Sequence, residues 1–211
     1  NPGVILNASE EDFDKSQVKQ YFVNAEGVKG AIIPSANFEP LPIAIAAQRA
    51  SIALAHVSHN SLHRTMRLDE DRFSGLSRYL AGPNNPNGHA FGATEDAMVS
   101  IYAENVALAN PVSMHGTPVE GNIEDSASNL PRVAERLNRA AKNVIDLYSM
   151  EMLHSTQAID LRKLKQPNVK LAEKTQALYD AYRKEVPFVE KDRNFTGDLE
   201  KVIELLNRYQ Y

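Results

Sequence analysis

Chemistry in this chain has few places to sit. A hydrolytic triad, a phosphate-binding loop and a dinucleotide fingerprint each require a fixed residue pattern, and none occurs. The densest group of reactive side chains lies in one polar stretch, where Glu120, Glu124 and Asp125 stand beside His115, Asn122, Ser126 and Ser128. Two readings fit it. Glu124 and Asp125 favour the start of the long helix that follows, through its free amides and dipole. Alternatively Glu124 is a carboxylate held at a helix end, placed to accept a proton or to bind the cationic part of a ligand, with Phe38 as an apolar wall.

Two other groups compete with it. His56, His59 and His63 fall within about 60° of one helical face. The segment offers no carboxylate at matching spacing, so histidines placed near a helix C-terminus are preferred over a metal site. Glu151 and His154 continue an apolar stripe by steps of four and three, which predicts that both are substantially buried. A buried carboxylate needs a partner, so Glu151 is read as structural and paired to another helix or subunit. Glu95, Asp96 and Glu104 are read as a solvated helical face.

The elements that position these residues are nearly all helical. From Leu130 the stripe runs Val133, Leu137, Ala140, Val144 and Leu147, the period of one buried helix face, and Ala141, Ile145, Tyr148, Met152 and Ile159 widen it. A helix from Glu124 to Lys163 would span about 60 Å, against a radius of gyration of about 17 Å for a compact chain of this size. Pro131 either starts or bends it. A second long helix is expected from Pro40 and Pro42 to Met66, a third from Phe91 to Ala109, and two shorter ones over Val169–Val186 and Thr196–Tyr209, the last capped by Thr196. Asn1–Leu6 and Lys29–Pro34 read as extended. Ser9 reads as the cap of a short inserted helix that ends near Gly27. The expected class is all-α, an elongated bundle of long helices with a short extended, hairpin-like N-terminal segment. One domain is expected, organised as residues 1–39, a long-helix core at 40–163 and peripheral C-terminal helices at 164–211.

Composition narrows the partners. A net charge of −4 and a sequence pI near 5.9 argue against a nucleic-acid partner. The absence of cysteine excludes a disulfide framework and a thiolate metal site and suits a cytoplasmic home. No apolar run is long enough to cross a bilayer, and no membrane partner is expected. The chain opens Asn-Pro-Gly-Val-Ile-Leu without a methionine, as expected of a fragment or processed product of a longer polypeptide.

The order Asn1-Pro2, Ala36-Asn37-Phe38, Ser74-Gly75-Leu76, Ala103-Glu104-Asn105, Glu124-Asp125, and Glu151 followed by Gln157-Ala158-Ile159-Asp160-Leu161-Arg162 resembles the C-terminal part of the aromatic amino acid ammonia-lyases, histidine ammonia-lyase especially. It runs from Asn1 to about Lys163. The resemblance implies a homotetramer with long helices at its core, and elimination of ammonia from an aromatic amino acid to give an unsaturated acid. It also implies a methylidene-imidazolone electrophile formed from Ala-Ser-Gly. That tripeptide is absent from this chain, so the parent would supply it and this chain alone is expected to be inactive. By the same resemblance, Phe38 matches the family's active-site phenylalanine, and Glu124 matches the glutamate associated with histidine substrates. A carboxylate can pair with an imidazole, where phenylalanine lyases place glutamine. The chain departs from the family pattern at Ala36-Asn37-Phe38-Glu39-Pro40, where Gly-Asn-Phe-His-Gly is usual, at Ile123, where the motif has glutamine, and at Glu95, also a glutamine position. The alternatives are a phenylalanine or tyrosine lyase, an aminomutase, or a helical oligomerisation module without catalysis.

Overall fold

The computed structural model describes residues 2–7, 22–34, 40–115, 117 and 128–208. The chain divides into two compact units, Asn1–Ile45 with Val112–Pro131, and Ala46–Pro111 with Arg132–Tyr211.

The first unit holds a three-stranded antiparallel sheet of order β1-β3-β2, made of β1 (Pro2–Leu6), β2 (Phe22–Ala25) and β3 (Val28–Pro34). Pro2 pairs with Pro34 and Leu6 with Gly30, while Phe22 pairs with Ala31 and Ala25 with Val28. Residues 22–25 therefore correct the expected helix ending near Gly27. Glu26 and Gly27 have φ of 53° and 83°, and two successive left-handed residues make the tight hairpin turn that matches strand twist. Ser9 lies outside the described residues.

The second unit is helical. It is formed from most of α1 (Leu41–Asp69), α2 (Asp71–Ser74), α3 (Ala90–Leu108), most of α4 (Leu130–Lys165), α5 (Glu173–Glu185) and α6 (Thr196–Arg208). Pro42 and Pro131 are the second residues of α1 and α4, where an amide donor is not needed. Pro131 thus marks the start of α4. Glu124 precedes the helix, which spans about 54 Å. The start of α6 departs from expectation, because Asn194 Oδ1 accepts the Thr196 amide at 2.8 Å in place of a Thr196 cap. Gly75 ends α2 at φ 66°, with open space where a side chain would go, so backbone conformation is what favours glycine there.

One core cluster joins Leu153 and Leu161 of α4 to Leu80, Phe91, Tyr182, Val186 and Phe195, with Val202 and Leu205 from α6. Each fully buried aliphatic side chain contributes about 1.5–3 kcal/mol. The C-terminal helices, expected at the periphery, thus supply a large part of this core. The chain after α5 also grips the loop before α3. Asp192 accepts hydrogen bonds from Asn85 Nδ2 (3.1 Å) and the His89 amide (2.9 Å). A side chain at Gly82 would meet the Glu190 carbonyl oxygen at 2.7 Å. A smaller cluster packs Leu62, Met98 and Leu147 of α1, α3 and α4.

Helix α1 is long and apolar enough to cross a membrane by length and composition alone, and 17% of its most apolar window is buried. This corrects the expectation that no run is long enough: the stretch is alanine-rich and interrupted by Arg49 and three histidines, so no unbroken apolar block marks it. Its buried Ser51, Ser58, Ser61 and Thr65 face protein partners or the helix's own carbonyls.

Candidate functional site

Phe38 and Glu124, the expected substrate contacts, lie outside the described residues, as do Glu120, Asn122, Asp125 and Ser126. Their flanks are described and belong to the first compact unit. Phe38 stands between β3 and α1, whose start is fixed where the Pro40 carbonyl accepts the Ile43 and Ala44 amides at 3.0 and 3.1 Å. Glu124 stands between a 3-10 turn at Ser113–His115 and α4. There Asn129, in a left-handed conformation at φ 55°, donates its Nδ2 to the Val112 carbonyl at 3.1 Å. Asparagine tolerates that conformation better than most residues. Ser128 beside it is buried.

The two polar residues expected inside α4 are indeed covered, and their partners come from the same chain. Glu151 is 17% exposed and accepts Arg64 Nε (2.5 Å) and Nη2 (2.8 Å) and Ser61 Oγ (2.7 Å), all from α1. The hydrogen bonds that Arg64 donates to Glu151 raise the Arg64 pKa. His154 is fully buried. Its Nδ1 lies 2.8 Å from the Met150 carbonyl, and Nε2 lies 3.0 Å from Thr94 Oγ1, 3.3 Å from the Phe91 carbonyl and 3.2 Å from Asp69 Oδ2. Burial alone would drive off the proton, but the Asp69 carboxylate and the two carbonyls outweigh it and hold the His154 pKa above its ordinary value. Glu95, expected on a solvated face, is half-buried and feels the field of the same carboxylate. Burial first, then Asp69, pushes its pKa up to about 7. One signal in the sequence pointed to Asp69: it ends α1, where an acid opposes the helix dipole and calls for a cation.

The other motif residues build the scaffold. Asn105 is fully buried, donating Nδ2 to Ser58 Oγ (2.7 Å) and to the Ala140 carbonyl (3.3 Å) and accepting Asn143 Nδ2 at 2.9 Å. Asn143 also donates to Glu104 at 2.6 Å, and Arg139 grips the same carboxylate at 3.1 and 3.2 Å. The Arg139 hydrogen bond, followed by that of Asn143, lowers the Glu104 pKa. Arg162 Nη2 donates to the Ser74 carbonyl (2.6 Å) and Lys165 Nζ to the Gly75 carbonyl (2.7 Å), which joins two sequence motifs across the end of α4.

On α1, the rings of His59 and His63 are 4.3 Å apart between centroids, and His59 is 5.6 Å from Tyr102. They border a hollow of about 410 Å³ lined also by Asn60, Arg64 and Arg67. Among the described residues no group of three or more histidine or carboxylate side chains could hold a metal ion.

Long helices fastened by buried amides and ion pairs define a helical scaffold. Residues 1–184 match the aromatic amino acid lyase family. Histidine ammonia-lyase of Pseudomonas fluorescens (strain SBW25) is 30% identical over 178 residues, covering 84% of this chain and 34% of that protein. The crystal structure of the ergothioneine-degrading enzyme ergothionase from Treponema denticola superposes with a TM-score of 0.76 at 35% identity, over 84% of this chain and 35% of that one. Pantoea agglomerans phenylalanine aminomutase gives a TM-score of 0.76 at 26% identity, over 83% and 34%. The chain belongs to the aromatic amino acid lyase family. It spans about a third of the length of the curated relatives it matches.

Proposed function

We propose that this chain is the C-terminal helical region of an ammonia-lyase that acts on an aromatic amino acid, with histidine, converted to urocanate, as the favoured substrate. The observation that carries this reading is the family match over residues 1–184, and the Glu124-Asp125 pair supports histidine by its resemblance to the glutamate of histidine-specific members. Glu124 is assigned the substrate's imidazole, as a charge partner or proton acceptor, and Phe38 the wall beside it. A carboxylate favours a ring that can carry charge, and glutamine at the same place would favour an apolar one.

The methylidene-imidazolone electrophile of such enzymes is built from Ala-Ser-Gly. This chain has no such tripeptide, which the parent protein would supply from outside it. The role left to this chain is to bind and orient substrate and to supply the helices of a homo-oligomer, a tetramer in this reading. Support for assembly comes from α1, which leaves Ile43, Ile45 and Ile52 exposed, apolar surface that association would remove from water.

A second reading has specific support. The 35% identity to ergothionase makes ergothioneine a competing substrate. Purified parent enzyme offered histidine, ergothioneine, phenylalanine and tyrosine separately, with ultraviolet detection of the unsaturated acid, decides among them. Product from histidine is expected. Silence with histidine and product from another substrate overturns the substrate assignment, and a parent sequence without Ala-Ser-Gly overturns this chemistry. Light scattering of Leu137→Glu tests assembly, since an unchanged mass in a folded variant argues against a subunit contact there.

A further inference from the structure

His154, within α4, is fully buried where the end of α1 and the first turns of α3 meet it, and the proposed chemistry makes no use of it. Every polar neighbour of its two ring nitrogens is an oxygen. On one side, Nδ1 lies 2.8 Å from the Met150 carbonyl, one turn back on α4. On the other, Nε2 meets Thr94 Oγ1 at 3.0 Å and the Phe91 carbonyl at 3.3 Å, both from α3, and Asp69 Oδ2 at 3.2 Å from the last residue of α1. The Thr94 hydroxyl donates to the Phe91 carbonyl at 2.7 Å, which leaves a lone pair for the ring.

A neutral ring has one proton for these two sides. With the proton on Nδ1, the bare Nε2 lone pair would face the Phe91 carbonyl and the Asp69 carboxylate at once. With the proton on Nε2, the Nδ1 lone pair would face the Met150 carbonyl. The imidazolium is the one state that sets no lone pair against another. Asp69 makes the same demand from its end. Its side chain is 0% exposed, and neither carboxylate oxygen has a hydrogen-bond partner. A buried carboxylate without donors needs a counter-charge, and the ring stands at ion-pair distance from it.

The charged groups around the ring supply no substitute. After α1, Glu70 lies 3.5 Å from Arg72. Arg64 of α1 is held by Glu151 of α4. On α3, Glu95 is half-buried and carries the same sign of charge as Asp69. Before α3, His89 is turned against Tyr79, with ring centroids 4.4 Å apart. The Phe91 ring lies edge-on to His154 with centroids 5.0 Å apart, and on the side of α6 Arg193 and Asp198 pair with each other. Among the described residues no cation other than His154 pairs with Asp69.

We propose that His154 is a pH-sensitive strut: a buried imidazolium that ties the end of α1 and the first turns of α3 to α4, and that releases the end of α1 when its proton leaves for solvent as pH rises. Burial favours the neutral ring, but the Asp69 carboxylate and the Met150 and Phe91 carbonyls outweigh it and hold the pKa above its ordinary 6.5. A raised folded pKa means that the stabilisation is complete below the unfolded value and is lost as pH rises through the folded one. The end of α1 responds first, because a neutral ring leaves Asp69 buried with neither a donor nor a counter-charge.

Nitrogen-15 NMR of the imidazoles in the intact protein, with His154 assigned through its contact with the Phe91 ring, reads the charge directly. Both ring nitrogens are expected to be protonated at pH 7, and a neutral ring there overturns the proposal. Amide hydrogen exchange tests the strut itself, in a Glu95→Gln background so that this neighbouring carboxyl cannot titrate. Between pH 6.5 and 9 the protection factors of the last turn of α1 are expected to fall by about tenfold or more with His154 present, and to stay within about threefold in His154→Gln. An equal pH dependence in both proteins overturns the proposal. If His154→Gln does not fold, the protein that keeps His154 still decides: protection that falls as the ring loses its proton supports the strut, and protection that holds constant overturns it.

Discussion

Gln157 holds Val189 from both sides of its peptide backbone: Nε2 donates to the Val189 carbonyl at 2.9 Å, and Oε1 accepts the Val189 amide at 3.1 Å. The same Nε2 reaches the Leu80 carbonyl at 3.3 Å. A single side-chain amide thus does the work of a strand partner for a segment outside any sheet, and it is 1% exposed. Leu80 needs the support, because it and Tyr79 are successive non-glycine residues at φ of 50° and 53°, a conformation that costs of order 1 kcal/mol each.

Gln157→Leu would keep the volume and strand three buried backbone groups. A loss of about 2–4 kcal/mol is expected, read as a lower urea midpoint with an unchanged slope. A midpoint within error of wild type would show that water replaces the amide.

Asn105→Leu removes the hub between α1, α3 and α4, leaving Ser58 Oγ and Asn143 Nδ2 without their buried partner. The expected cost is about 2–3 kcal/mol. Asn105→Asp should cost at least as much, because a carboxylate would face the Ala140 carbonyl. Denaturant titration of both variants checks the order.

Glu104 governs an acid limb of stability. Its folded pKa is lowered from 4.5 by Arg139 and Asn143, so its contribution is present above the unfolded value and is lost as pH falls through the folded one. Glu104→Gln should therefore lose a small amount of stability at pH 7 and converge on wild type in acid, which flattens the stability profile below pH 4.5. Urea midpoints at a series of acidic pH values measure this, and an unchanged acid slope would remove Glu104 from the account.

In the parent enzyme, Glu124→Gln is expected to cut turnover of histidine by about 100-fold or more, the scale of one positioned acid–base group. Activity toward phenylalanine should be unaffected or improved. Steady-state kinetics on the two substrates reads the switch, and equal losses on both would overturn the assignment of Glu124 to the imidazole.

The helices were largely legible in the sequence because their apolar stripes are long. The expected and observed limits of α3 differ by one residue at each end, and α4 ends two residues beyond Lys163. Strand β2 was not, since four strand residues and a two-residue turn carry no long periodic pattern, whereas the extended stretch over Lys29–Pro34 was. The burial of Glu151 and His154 followed from periodicity, but their partners did not. Arg64 and Asp69 lie more than eighty residues earlier, and no local pattern records such a distance. Glu95 was misread because helical spacing distinguishes faces without saying which neighbour covers them. Gln157 and Asn105 entered only as parts of motifs, and their geometry explains those motifs as scaffold. Phe38 and Glu124 rest on resemblance alone.

The contact between Asn129 and Val112 has a consequence for how the protein can change. The two residues stand 17 positions apart, and their bond closes the chain segment that contains Glu124 into a ring of its own. Once the ends are tied, the entropy of closure depends only weakly on what lies between them. Substitutions and small insertions inside the ring can then be accommodated while α4 keeps its start, and under the role proposed for Glu124 that is where a change of substrate would arise without a change of fold.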